Sequence, residues 1–147
     1  MKIYYPYEQF LADIKVLAEQ IRDKNFDAIL AISRGGLTIA HFLGIALDTK
    51  ELFFIRAASY ENRDKTSAVR FSELPDLTRK RNILIVDDIV DSGETLSELS
   101  KLFSRDYPHI NARTLAIFQK TTAKIRADFF ARETELWIDF FWEVDVL

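Results

Sequence analysis

Along this chain, short and almost wholly apolar runs alternate with stretches whose apolar positions recur at helical spacing. Residues 28–32 and 83–86 are continuous apolar blocks bounded by turn-forming residues, and they read as strands covered on both faces. Residues 114–118, a segment within 52–57 and a short piece near Phe129 supply further strands. Phe10, Leu11, Ile14, Leu17, Ala18 and Ile21 fall on one face at a 3.6-residue period and predict an amphipathic helix. Residues 37–47 predict a largely covered helix, and Leu96, Leu99, Leu102 and Phe103 predict a third that starts near Thr95. Repetition of strand, turn and helix points to an α/β fold, a twisted and mostly parallel sheet flanked by helices. Residues 60–81 are polar around Pro75, and 60–74 are expected to form a mobile hood. With 147 residues and no repeat, low-complexity tract or linker, the expectation is a single domain over 1–147.

In such sheets ligands bind beyond the carboxyl ends of the strands, so the turns there carry the chemical signal. After the run 83–86 come Asp87 and Asp88, two apolar residues, and then Asp91, Ser92, Gly93, Glu94 and Thr95. This turn lies between a strand end and a helix start, where unpaired amides of the first helical turn favour an anion such as a phosphate monoester. Gly93 lets the backbone approach closely, while Ser92 and Thr95 add hydroxyl donors. Carboxylates repel phosphate, so Asp87 and Asp88 suit a different role, accepting hydrogen bonds from ribose hydroxyls or holding water on a magnesium ion. Phosphate on one side and hydroxyls on the other describe a ribose 5-phosphate. The Asp-Asp-x-x-Asp spacing also occurs on helices of prenyl-diphosphate synthases, but the preceding strand run and the Ser92-Gly93 break exclude that all-helical reading.

This block resembles the phosphoribosyl pyrophosphate (PRPP) signature of type I phosphoribosyltransferases. Ser33, Arg34, Gly35 and Gly36, after the strand 28–32, are similar to the pyrophosphate loop of the bacterial xanthine-guanine members. Phe118-Gln119-Lys120 and Trp137-Ile138, followed by Trp142-Glu143, resemble the purine-facing segments of that subgroup, so the resemblance runs from about residue 31 to 143. It implies the type I phosphoribosyltransferase fold and a purine salvage reaction, in which a 6-oxopurine (xanthine, guanine or hypoxanthine) displaces pyrophosphate from PRPP with Mg2+ as cofactor. The roles it implies are Asp87 and Asp88 on the ribose hydroxyls and on Mg2+, directly or through water. Ser92 to Thr95, Glu94 included, hold the 5-phosphate. Asp91 is the catalytic group facing purine N7, and Ser33 to Gly36 bind pyrophosphate. Lys120 donates to the exocyclic oxygen, Trp137 stacks on the ring, and Ile138 meets the base through its backbone carbonyl or its side chain. Arg63, Lys65 and Arg70 all fit the basic residue that closes over pyrophosphate. Thr121 and Phe141 stand where the subgroup has prolines, a departure that bears on the choice of base rather than on the transfer. Two alternatives stay open: a PRPP-sensing regulator of the same fold, and a phosphoribosyltransferase that uses another base.

Twenty basic against 23 acidic side chains give a formal charge of −3, which provides no field for a polyanion, so nucleic acid is not the expected partner. The absence of cysteine excludes disulfides and thiol nucleophiles. His41 and His109 have no partner at ligand spacing, which argues against a structural metal. No run approaches the roughly 18 apolar residues of a membrane span, and the first residues lack the core of a secretion signal, so a cytoplasmic location is expected. A homodimer or homotetramer is expected by family analogy, with the aromatic C-terminal segment as one candidate interface; Trp142 is read as part of a core or subunit-interface cluster and is kept off the base site.

Overall fold

A computed structural model describes residues 1–61, 63–64 and 67–147 of the chain. Eight strands and three helices follow in the order β1 (Lys2–Tyr5), α1 (Tyr7–Ile21), β2 (Ala28–Ser33), α2 (Gly35–Ala46), β3 (Leu52–Glu61), β4 (Ser67–Phe71), β5 (Asn82–Val90), α3 (Glu94–Asp106), β6 (Asn111–Lys120), β7 (Phe129–Thr134) and β8 (Trp137–Phe140). Six of the strands form one sheet in the order β4-β3-β2-β5-β6-β7, parallel except for β4, and β1 pairs with β8 in a separate two-stranded parallel sheet.

Alternation along the central strands divides the core in two. Ile29, Ala31, Leu84, Val86, Leu115 and Ile117 face α1 and α2, whereas Leu30, Ile32, Ile83, Ile85 and Ala116 share a cluster with Leu96, Leu99 and Phe103 of α3. Covering both faces requires the unbroken apolar runs seen in β2 and β5. From β2 the chain moves outward to β3, and from β5 it moves the opposite way to β6, so the two neighbours β2 and β5 flank the point where strand order reverses. Both glycine turns follow these two strands, which puts them together at the place where open sheets bind ligands.

Two features differ from the sequence expectation. The stretch 60–74 is not simply a loop: β4 pairs antiparallel with β3, with Arg70 opposite Ala58, so residues 60–61 and 67–71 of the expected hood belong to a hairpin arm. Its outer residues alternate weakly because most of β3 beyond Ile55 is exposed, and pairing rather than burial holds it. The β1–β8 ribbon was missed because each strand has four residues and buries at most two. A polar network ties this ribbon down. The Tyr5 hydroxyl donates to Asp13 of α1, and Arg132 of β7 donates to the same carboxylate through Nε (2.8 Å) and Nη2 (3.2 Å). The Tyr5 ring meets Phe118 edge-on at 5.0 Å and Phe140 at 5.8 Å. Burial, together with the Asp13 carboxylate, holds the Tyr5 hydroxyl far above the usual phenol range.

Candidate active site

The end of β5 brings two carboxylates into a partly enclosed position. Asp87 Oδ1 accepts the Asp88 amide at 2.9 Å and Asp88 Oδ1 accepts the Ile89 amide at 2.7 Å. Burial, and then the neighbouring Asp88 charge, push Asp87 well above the ordinary carboxylate range. Burial also raises Asp88, opposed by its hydrogen bonds to Asp87 and to the backbone. Such a pair gains when hydroxyl donors or a cation approach it, because either relieves the shared charge. Among the described residues no cluster of three or more His, Cys, Asp or Glu side chains forms a metal cage. Two adjacent carboxylates at a strand end are a donor set that fits a magnesium ion keeping waters and substrate oxygens.

Two residues beyond Asp91, Gly93 adopts φ +87°, the left-handed turn from which α3 starts. Ser92 Oγ accepts the Glu94 amide at 3.2 Å, which arranges the amides at the helix start. A cavity of about 70 Å³ lies here, lined by Asp91, Ser92, Gly93, Glu94 and Thr95 among others.

The second glycine turn presses against the end of β5. A Cβ on Gly35 would lie 2.2 Å from Asp88 Oδ2, and one on Gly36 would lie 2.3 Å from the Val86 carbonyl oxygen. Only glycine lets α2 begin this close to β5, and this approach joins the Ser33-to-Gly36 loop to the acid pair. The Ser33–Arg34 peptide is cis. Arg34 borders two cavities. One, of 690 Å³, is also lined by Gly35, Thr38, Asp88, Trp142 and Glu143; the other, of 470 Å³, by Ser33, Arg56, Arg70 and Ser72. Of the three basic hood residues, Arg70 thus shares a cavity with Ser33 and Arg34, its guanidinium 4.2 Å above the Tyr60 ring. Arg63 is exposed in the turn of the hairpin, and Lys65 lies outside the described residues.

At the end of β6, Lys120 Nζ pairs with Asp91 Oδ1 at 2.9 Å and stands 5.4 Å from the centre of the Trp137 ring. These three residues are therefore neighbours, with Trp137 45% exposed on β8. Of the two routes open to Ile138, burial argues against the side chain, since the residue is 2% exposed and its side chain packs in the core. Of the two readings of Trp142, core or interface cluster, the packing inside the chain fits the first. Phe140 is buried and stacks on Trp142 at 4.6 Å, and Trp142 packs edge-on against Phe10 at 5.3 Å, all within the chain. The sequence reading kept Trp142 and Glu143 off the site and missed Arg56, yet all three line cavities shared with Arg34. For Arg56, a lone basic residue in an otherwise apolar strand was the available signal.

The family described as phosphoribosyl transferase domain matches residues 1–147. This chain belongs to that family. A xanthine-guanine-hypoxanthine phosphoribosyltransferase from Helicobacter pylori superposes with a TM-score of 0.89 at 36% identity, covering 99% of this chain and 96% of that one. A purine phosphoribosyltransferase from Pyrococcus horikoshii superposes at 0.83 with 28% identity over 99% and 96% of the two chains. In sequence, a xanthine-guanine phosphoribosyltransferase from Chromohalobacter salexigens is 25% identical over 95% of this chain and 83% of its own length. The protein is accordingly a phosphoribosyltransferase, with the parallel α/β sheet of its structural neighbours. Among the described residues no helix is long and apolar enough to cross a membrane.

Proposed function

We propose that this phosphoribosyltransferase is a purine salvage enzyme, which moves the 5-phosphoribosyl group of PRPP onto a nitrogen of a 6-oxopurine and releases pyrophosphate. The observation that supports this reading most strongly is that Asp88 meets the Gly35 turn and shares a cavity with Arg34, while Asp87 lines the small cavity of the 91–95 turn, whose Asp91 pairs with Lys120 beside Trp137. The names of relatives that span the chain support the same reading.

On this reading the amides and hydroxyls of residues 92–95 hold the 5-phosphate, a remote handle whose binding energy orients the reacting carbon. The Asp87 and Asp88 carboxylates accept the ribose hydroxyls, which fixes the sugar ring against the strand end. Those two side chains would also hold Mg2+, through water or directly; the ion supplies charge neutralisation of the pyrophosphate leaving group. Arg34 and the amides of residues 33–36 take the pyrophosphate oxygens, with Arg70 above them from the hairpin. On the other face of C1, Trp137 stacks on the base and Lys120 donates to its exocyclic oxygen. Lys120 has three donors and its ion pair engages one oxygen of Asp91, so the second oxygen of that carboxylate meets N7 and accepts its proton or steadies the developing positive charge.

The enzyme works on small molecules as a homodimer or homotetramer, for which exposed Ile45, Leu52 and Phe54 supply apolar area. We place it in the cytoplasm with its highly charged, membrane-impermeant substrate. The test is a base panel with PRPP and Mg2+ followed by mass detection of the nucleotide. Product from xanthine, guanine or hypoxanthine is expected; product from none of them overturns the purine assignment, and product only from a pyrimidine replaces it.

A further inference from the structure

Gln119 interrupts the most deeply buried part of β6. Leu115, Ala116, Ile117 and Phe118 before it are apolar, and Gln119 itself has 0% exposure. A primary amide is unfavourable in such a place unless its donors and acceptor are matched, and here the partners are all backbone groups. Its Nε2 donates to the Ile125 carbonyl at 3.0 Å and, at 3.3 Å, to the Lys120 carbonyl, and its Oε1 accepts the Ala127 amide at 2.9 Å. The side chain thus closes the loop 121–127 onto the end of the strand it leaves.

That loop is the outer wall of the phosphate turn. The Lys124 amide donates to the Ser92 carbonyl at 3.0 Å. Ile125 covers Gly93 so closely that a Cβ there would lie 2.3 Å from its Cγ2. At the loop's start, Lys120 pairs with Asp91. Three consecutive turn residues, 91, 92 and 93, are therefore each met by a residue of the one short segment that Gln119 fastens at both ends. Gln119 has no exposed surface with which to touch a ligand, so whatever it does for the site it does through these neighbours.

We propose that Gln119 is a positioning residue that holds the 5-phosphate turn and the base-end Lys120 in one register by clamping the loop 121–127 between them. This rests on the reading of residues 91–95 as the phosphate turn. A glutamine that served only to fill the core would affect stability without distinguishing between ligands. A clamp affects the ligand held by the turn, and spares a ligand held by the Ser33-to-Gly36 loop, which belongs to β2.

The test compares binding of ribose 5-phosphate and of pyrophosphate, each with Mg2+, by calorimetry on the wild type, on Gln119→Met and on Gln119→Asn. Methionine keeps the length and loses the hydrogen bonds; asparagine keeps the amide but is one methylene too short to span both partners. The clamp predicts that ribose 5-phosphate binding weakens about tenfold or more in Gln119→Met and by a smaller factor in Gln119→Asn, with pyrophosphate within about twofold of the wild type. In steady state the same variants show a raised KM for PRPP. Equal weakening of both ligands, or ribose 5-phosphate within about twofold of the wild type in either folded variant, overturns the proposal. Because binding needs no turnover, a wild type that binds ribose 5-phosphate but makes no nucleotide overturns the purine-transfer reading and leaves the clamp standing. A wild type that does not bind ribose 5-phosphate overturns both.

Discussion

Replacing Gly93 with alanine perturbs the phosphate turn at one atom, and its effect follows from two features of the structure. The backbone there has φ +87° and ψ 1°, a left-handed conformation that costs an L-residue about 1–2 kcal/mol. The new Cβ would also stand 2.3 Å from Ile125 Cγ2 and 3.0 Å from the Ile125 nitrogen, and overpacking of this kind costs about 1–3 kcal/mol. Together these give a destabilisation of about 2–5 kcal/mol. With a urea slope of about 2 kcal/mol per molar, the unfolding midpoint falls by about 1–2.5 M at constant slope. The two parts separate in a double-mutant cycle. In an Ile125→Ala background the Cγ2 contact is gone while the contact with the backbone nitrogen of residue 125 stays, so the added cost of Gly93→Ala falls toward the backbone part of about 1–2 kcal/mol. Kinetically, Gly93→Ala raises the KM for PRPP, because the loop 121–127 must retreat from the phosphate turn. A midpoint within about 0.2 M of the wild type, or the same increment with and without Ile125, would refute the geometric argument.

Three further outcomes follow from the same geometry. Asp91→Asn keeps the turn's amides and removes the carboxylate that faces the base, so turnover in steady-state assays falls about 10²–10⁴-fold with little change in the KM for PRPP; an unchanged rate removes Asp91 from the mechanism. Asp87 is raised in the folded protein above its unfolded value, so the native state binds more protons than the unfolded chain between the two values and stability declines as pH rises through that window. Asp87→Asn removes this penalty, so in chelator-treated protein its thermal midpoint exceeds that of the wild type by a margin that grows with pH, while activity is lost; a margin independent of pH contradicts the assignment. Tyr5 is likewise raised, and wild-type stability is retained below about pH 10 and declines above it as the unfolded chain ionises. Tyr5→Phe flattens that alkaline limb and, by losing a hydrogen bond to Asp13, costs about 1.5–3 kcal/mol at neutral pH in urea titrations.

The parts of this molecule that are buried on both faces were legible in its sequence. The runs in β2 and β5 could be read because central parallel strands demand continuous apolar side chains, and α1 because its buried stripe repeats every 3.6 residues. Both glycine turns were legible for a related reason: glycine is scarce here, and three of the four stand at strand ends. What pairing rather than burial stabilises was not legible. The β3–β4 arm is largely exposed, and the β1–β8 ribbon is too short to show a period. Within the site, sequence order identified Asp91 and Lys120 but not their mutual ion pair, which depends on β5 and β6 lying side by side. For Ile138 the sequence left backbone and side chain open, because a four-residue strand does not reveal which face it buries. Gln119 stood in plain view as one polar residue after four apolar ones, and its role emerges only when the loop 121–127 folds back onto it.

The claim on which everything else rests is that the turn after Asp91 takes a terminal phosphoryl group while the acids before it take the pentose. A crystal structure of the protein with PRPP and Mg2+ measures this directly. The 5-phosphate oxygens are expected at about 2.7–3.2 Å from amide nitrogens of residues 92–95, with ribose hydroxyls on Asp87 and Asp88. Density that places the 5-phosphate among Arg34, Arg56 and Arg70, with the sugar away from the Asp87–Asp88 pair, would contradict it.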